Sequence, residues 1–381
     1  FLTRNNDQRW RGQNWNIVFV GDGNPPGGTW PNPPYTIVAD TPVVREKPFI
    51  YLDGNGNYLV TVPALTRNTR GHSWGTGAPP GSPLSIDRFF VAHPGDTAAK
   101  LNGALAQGKH LLFTPGRYNI DASLNVTQPN TVILGLGLAT LSATQGSAIF
   151  KVADVDGVTI AGLLLEAGGA SSPTLLELGN AGSHADHAAN PSALFDLYCR
   201  VGGAIAGTAA NCVTINSNNV LLDNLWLWRA DHGAGADWYT NKSNNGLIVN
   251  GDHVTAYGLF VEHFQQYQTL WNGNDGAVYL YQSEMPYDPP NQNAWNAPGE
   301  NGYPSYKVAD GVTTHIGRGI GVYSVFNNYI TASNAIESPS ASGVSLSHMV
   351  SVSLASGQIL NIVNGSGGSV GNGRQTSFST Y

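Results

Sequence analysis

Three blocks between positions 223 and 310 of the 381-residue chain gather carboxylates, amides, imidazoles and indole rings. The first, NLWLWRADHGAG, carries Trp226, Trp228, Arg229, Asp231 and His232. The second, VTAYGLFVEHFQQYQTLWN, carries Glu262, His263, Gln265, Gln266 and Trp271. The third, VYLYQSEMPYDPP, carries Gln282, Glu284, Tyr287 and Asp288. This mixture suits a sugar polymer. Rings stack on the apolar faces of pyranoses, amides bind hydroxyls, and two carboxyl groups divide acid and base work at a glycosidic bond. Each candidate also has a plainer role. Trp226 and Trp228 alternate with Leu225 and Leu227, so one pair faces a core and the other faces out. Asp231-His232 reads equally as a turn cap beside a surface histidine. Glu262 suits a solvated corner. Glu284 stands where Met285-Pro286 must end a strand, which puts an acid at a strand terminus. His184, His187, His232 and His263 match no zinc spacing, so neither a metal nor another cofactor is expected.

The elements that must hold these residues repeat a loose grammar. NTVILGLGLATL, DGVTIAGLLLEA, NNVLLDNLWLWRA, DHVTAYGLFVEH, GAVYLYQSE, DGVTTHIGRGIGVYSVF and SGVSLSHMVSVSL each start with a polar turn and a valine. A short alternating strand follows, then a kink near Gly or Asn and a second strand. The anchoring valines are Val132, Val158, Val220, Val254, Val278, Val312 and Val344. Such intervals mark a solenoid, and the long interval after Val158 has room for an extra coil plus a polar insertion at 183–190. Paired hairpin turns for a sandwich and intervening helices for an α/β fold are both lacking. The reading is all-β: a right-handed parallel β-helix whose stacked coils bury one continuous core. One helix is predicted before it, capped by Asp96 or Thr97, striped by Leu101 and Leu105, and ended at Gly108.

Upstream, residues 1–40 are rich in Asn, Pro, Gly and Trp, and read as the tail of a preceding solenoid and a connector. Residues 41–85 contain two alternating runs around Asp53-Gly54-Asn55-Gly56-Asn57, a hairpin signal, and then a loop over 71–83. Residues 86–381 form the β-helix. NWNIVFVG near the start reads as a strand with nothing upstream to stack on, so an N-terminal partner of comparable fold is expected. Only 11% of residues are charged and the net charge is −7, with no basic run to track phosphates, which argues against nucleic acid. No apolar stretch is long enough for a spanning helix, so no membrane partner is expected. Cys199 and Cys212 form either a disulfide or two buried thiols.

The three blocks, in this order, resemble those of glycoside hydrolase family 55. Members show a tryptophan-rich strand ending in Ala-Asp-His, a strand ending in Glu-His, and a Thr-Glu-Thr-Pro-Tyr segment. The resemblance covers 224–290 well and extends loosely to REKPF near Arg45. It implies a secreted exo-acting β-1,3-glucanase of the pectate-lyase-like fold, with this chain as the C-terminal of two tandem β-helices. It implies inversion, with Glu284 as general acid and Glu262 beside the attacking water, helped by Gln265, Gln266 or Asp231. Trp226, Trp228, His232, His263, Trp271, Gln282 and Tyr287 would line the substrate. The acid should sit in apolar surroundings supplied by Tyr287 and the tryptophans. Ser283 and Met285 replace the family's threonines. Two other functions compete. A polysaccharide lyase would need Arg229, Lys307 or Arg318 as a base beside an acidic chain. A non-catalytic carbohydrate-binding solenoid would keep the rings without using the carboxylates.

Overall fold

The computed structural model describes residues 1–7, 16–75, 77–371 and 373–381. Short strands alternate between two long sheets as the chain coils. One sheet contains Val132–Ala143, Thr159–Ala167, Ala193–Val201, Leu221–Arg229, Thr255–Glu262, Gly276–Glu284, Thr314–Ser324 and Gly343–Ser353, each parallel to the next. The other runs through Ser172–Leu178, Ala209–Ile215, Asn245–Val249, Thr269–Trp271 and Tyr306–Val308, also parallel. This is a parallel β-helix. Ala193–Val201 is the extra coil foreseen in the interval after Val158.

The kinks have one cause. Gly162, Asp196, Asn224, Gly258, Leu280, Gly319 and His348 occupy equivalent register positions, and all have positive φ, from 44° to 72°. A left-handed residue in a strand turns the chain, so stacking these positions folds the long sheet along a crease. Beyond the crease each strand alternates again. Leu225, Leu227, Leu259, Val261 and Tyr281 point into the core, while Trp226, Trp228, Phe260, Glu262, Gln282 and Glu284 point out.

Before the crease the outward residues are covered. Phe195, Ala161 and Leu134 pack under Val60 and its neighbours, on the antiparallel sheet of Phe49–Leu52, Tyr58–Pro63 and Gly81–Ser85. The hairpin at Asp53 forms as expected, but Gly81–Ser85 adds a strand where the sequence reads as loop. An edge strand tolerates Pro83, which is why turn-forming composition misleads there. Tyr257 and Tyr279 pack under Val18 and Val20, on a three-stranded parallel sheet of Leu2–Arg4, Ile17–Val20 and Tyr35–Val38. Asn14 and Trp15 of the expected first strand lie outside the described residues.

The helix Ala98–Ala106 is capped by Thr97, whose hydroxyl accepts from Lys100 N at 3.3 Å, and it buries Leu101 and Leu105 against the first coils. At the far end Gln375–Thr380 closes the long sheet antiparallel to Gly343–Ser353. Cys199 and Cys212 form a disulfide between the two sheets, with Cα atoms 6.2 Å apart. The polar insertion is tied down by His187, buried between Asp154 Oδ1 at 2.9 Å and Asp156 Oδ1 at 2.6 Å. Both of its nitrogens are thereby engaged in structure.

Candidate active site

Beyond the crease, parallel register lines up one outward row. Glu166, Arg200, Trp228, Glu262, Glu284 and Tyr323 follow one another on successive strands. A second row runs through Tyr198, Trp226, Phe260 and Gln282. Neighbouring strands lie about 4.8 Å apart, so the Glu262 and Glu284 backbones are adjacent. Their carboxyl groups have different partners. Glu262 Oε2 accepts the Trp226 indole N–H at 2.8 Å, toward the preceding strand. Glu284 Oε2 accepts the Tyr287 hydroxyl and lies 3.2 Å from His263 Nε2.

Burial, and then the neighbouring Glu284 charge, push the Glu262 carboxyl up to about 7. Glu284 behaves oppositely. Burial raises it, but hydrogen bonds from His263 and Tyr287 outweigh that and hold it below the usual range. The burial expected to keep the Glu284 proton is present, but these two donors outweigh it. Tyr287 is a donor to Glu284, and that hydrogen bond stabilises the charged form.

The imidazole of His263 adds a constraint. Its Nδ1 faces the Arg229 carbonyl at 3.2 Å and Asp231 Oδ1 at 3.6 Å, both acceptors. Nδ1 must therefore carry a proton. Nε2 then either donates to Glu284 as part of an imidazolium or accepts from a protonated Glu284. Either way one proton lies in the His263–Glu284 hydrogen bond. Asp231 also accepts the Trp228 indole N–H at 3.2 Å and contacts His232 Nδ1 at 2.9 Å. His232 is an exposed rim residue stacked loosely on Trp228.

Trp226 and Trp228 face outward, and Trp226 is 45% exposed. With Tyr198, Arg200, Leu164 and Leu138 they line a largely apolar trough of about 470 Å³ beside the carboxylates. At the other end of the row Tyr323 is packed under Trp30, Val350 and Val352, which closes that side.

Several expected ligands lie elsewhere. Trp271 is wholly buried, on the inner side of its strand against Tyr306 and His315. The alternation that points Trp226 out points Trp271 in. The Gln265 amide is engaged with backbone, donating to Trp238 O at 2.6 Å and accepting from Ser243 N. Gln266 lies in the same loop, its backbone N–H on Asn244 O. Gln282 is in the second outward row, two residues before Glu284 on the same face. Arg229 is fully buried, salt-bridged to both oxygens of Asp288 at 2.9 Å and donating to the His263 carbonyl. It braces the His263 loop and is out of reach as a lyase base. Lys307 is paired with Glu337 and Asp310 on the other sheet. Arg318 lies on the covered side of the crease. Sequence reading missed Tyr198, Arg200 and Tyr323, whose signal was their position in the register of successive coils. Among the described residues no cluster of His, Cys, Asp and Glu could hold a metal ion.

Indole platforms stand beside a carboxylate pair in register, on the open face of a parallel β-helix. The LAM55 pectate lyase-like domain family matches residues 89–284, just over half of the chain. The chain belongs to this family, glycoside hydrolase family 55. It is 47% identical over 358 residues to an exo-beta-1,3-glucanase of Streptomyces sp. (strain SirexAA-E / ActE), covering 93% of this chain and 59% of that protein. It is also similar to the solved structure of sacteLam55A from Streptomyces sp. SirexAA-E, with TM-score 0.97 and 43% identity over 100% of this chain and 70% of the other. A glutamate-to-alanine variant of sacteLam55A in complex with glucose gives TM-score 0.96. The chain thus spans 59% of the length of the curated relative.

Proposed function

We propose that the chain carries the catalytic groove of a secreted, exo-acting β-1,3-glucan hydrolase that inverts the anomeric centre. The observation that carries this is the Glu262–Glu284 register pair, with Trp226 bonded to one carboxyl and His263 and Tyr287 to the other. Inverting enzymes need about 6.5–9.5 Å between carboxyls to admit a water, more than the strand spacing alone supplies. Glu284 gives its proton to the glycosidic oxygen as the C1–O bond breaks. Glu262 takes a proton from the water whose oxygen bonds to C1 from the opposite face. His263 is hydrogen-bonded to Glu284; after turnover Glu262 releases to solvent the proton it took from water, and Glu284 takes one up from solvent. The trough by Trp226 and Trp228 suits the glucan on one side of the scissile bond, and the closure at Tyr323 supports attack at a chain end.

A second assignment exchanges the two roles, because burial keeps the proton on Glu262 in the empty site. The two differ with an activated substrate. An aryl β-glucoside with an acidic phenol leaving group needs no general acid. It is expected to restore turnover to Glu284→Ala and not to Glu262→Ala; the reverse pattern exchanges the roles. Product NMR showing a β-anomer as the first-formed sugar would overturn inversion.

Secretion is supported by the Cys199–Cys212 disulfide, since such bonds persist in oxidising compartments. The right-handed coil follows the strong preference of parallel crossovers. We further propose that a first β-helix accompanies this one. Its support is the parallel sheet of Leu2–Arg4, Ile17–Val20 and Tyr35–Val38, which has the parallel pairing of stacked coils, with Ile37 exposed on it.

A further inference from the structure

A second concavity lies away from the carboxylates. It has a volume of about 750 Å³ and lies between the Tyr58–Pro63/Gly81–Ser85 hairpin strands and the corners of the first coils. Its polar lining comprises Arg45, Arg88, His110 and the amides of Gln128, Asn130 and Asn190, with Ser82 and Thr131. No Asp or Glu lines it, and no Phe, Trp or Tyr. That composition is the opposite of the trough beside Trp226, and it sits in a chain of net charge −7.

Two of the lining side chains are more than nine-tenths buried and incompletely bonded. Arg45 is 7% exposed, yet its guanidinium meets only neutral acceptors: Pro191 O at 3.0 Å and Asn190 Oδ1 at 2.8 Å. Its Nε has no hydrogen-bond partner. The adjacent Glu46 is engaged elsewhere, by Arg4 at 3.0 Å and Ser73 at 2.8 Å. His110 is also 7% exposed. Its Nδ1 accepts the Val132 N–H at 3.1 Å, so in the neutral ring the proton is on Nε2, and that donor too has no partner. Exposed Arg88 adds a second full charge to the rim. A buried cation without a carboxylate is unfavourable, and the concavity offers an anion several donors and offers no ring to stack a sugar.

We propose that this concavity binds a small oxyanion, a phosphate or a carboxylate, held by Arg45 and Arg88 with the His110 Nε2–H and the corner amides. The site is separate from the glucan groove. Its occupant supplies the missing counter-charge, and it bridges the hairpin to the first coils.

The test uses the full chain. Isothermal titration at fixed ionic strength with inorganic phosphate, and separately with gluconate, distinguishes the two oxyanion types. Saturable binding of at least one is expected, equal in the Glu284→Gln variant. Arg88→Ser, a change at an exposed side chain, is expected to weaken it at least about tenfold, the worth of one charge-assisted hydrogen bond. The 15N-labelled His110 ring is expected to shift during the same titration. Absence of saturable binding of both anions overturns the proposal. So does binding that is indifferent to Arg88→Ser and leaves the His110 ring signal unmoved.

Discussion

Glu262 and Glu284 are chemically identical, and their neighbours make them different. Glu284→Gln is expected to lower kcat by at least about a thousandfold with little change in stability, measured on a β-1,3-glucan. Glu262 also sets a pH dependence. Its folded-state value is about 7, against an ordinary value of 4.5. A group raised on folding contributes stability that is complete below its unfolded value and lost as pH rises through its folded value. The parent should therefore lose up to about 3 kcal/mol between pH 4 and pH 8 from this residue. Glu262→Gln is expected to melt higher than the parent at pH 8, with the gap closing near pH 4, while being severely impaired in hydrolysis. In kcat/KM, ionisation of Glu262 should appear as a rising limb near pH 7 if it activates the water; a falling limb there exchanges the roles. The two tryptophan environments separate as cleanly. Trp271→Ala leaves a cavity in the core and should cost about 3–5 kcal/mol. Trp226→Ala should stay within about 1 kcal/mol in denaturant melts but raise KM.

At the scale of the strand, the crease decides which residues meet. Glycine, asparagine, aspartate, leucine and histidine all occupy its left-handed positions, so side-chain type alone does not locate it. Gly258 tests the argument because a Cβ there meets nothing closer than Leu2 Cδ2 at 3.4 Å. Space is adequate and backbone strain is what remains. Gly258→Val is expected to destabilise by about 2 kcal/mol and Gly258→Asn by markedly less, since asparagine tolerates this region. Equal effects of the two substitutions on the denaturation midpoint would show that the crease does not depend on left-handed backbone. Without the turn, Trp228, Glu262 and Glu284 would lie on a flat continuation of the face covered by the N-terminal sheets.

Across the whole molecule, the disulfide fastens one coil's two faces. Cys199 and Cys212 are 13 positions apart and both are buried. Closing a loop of that size is worth about 3 kcal/mol. The double change Cys199→Ala and Cys212→Ala is expected to lower unfolding free energy by about that amount. In the parent, thiol titration should find no free thiol before the fold is opened, and two after reduction in denaturant. The N-terminal parallel sheet and the hairpin sheet cover the near side of the crease and leave the carboxylate row beyond it uncovered.

The coil grammar, the helix at Ala98–Ala106 and the Asp53 hairpin were legible in the residues alone, which also brought the two glutamates forward as candidates. Each of these depends on local alternation, turn chemistry or a motif of a few residues. Only the tertiary structure decided the orientation of Trp271 and Arg229, the strand at Gly81–Ser85, the disulfide, and the company each glutamate keeps. Trp226 and Trp271 both alternate with apolar neighbours, and alternation defines two faces without naming which is inside. The His263 and Tyr287 contacts of Glu284, with the Asp231 contact of His263, join three successive stretches of chain, and their geometry exists only once the coils are stacked in register.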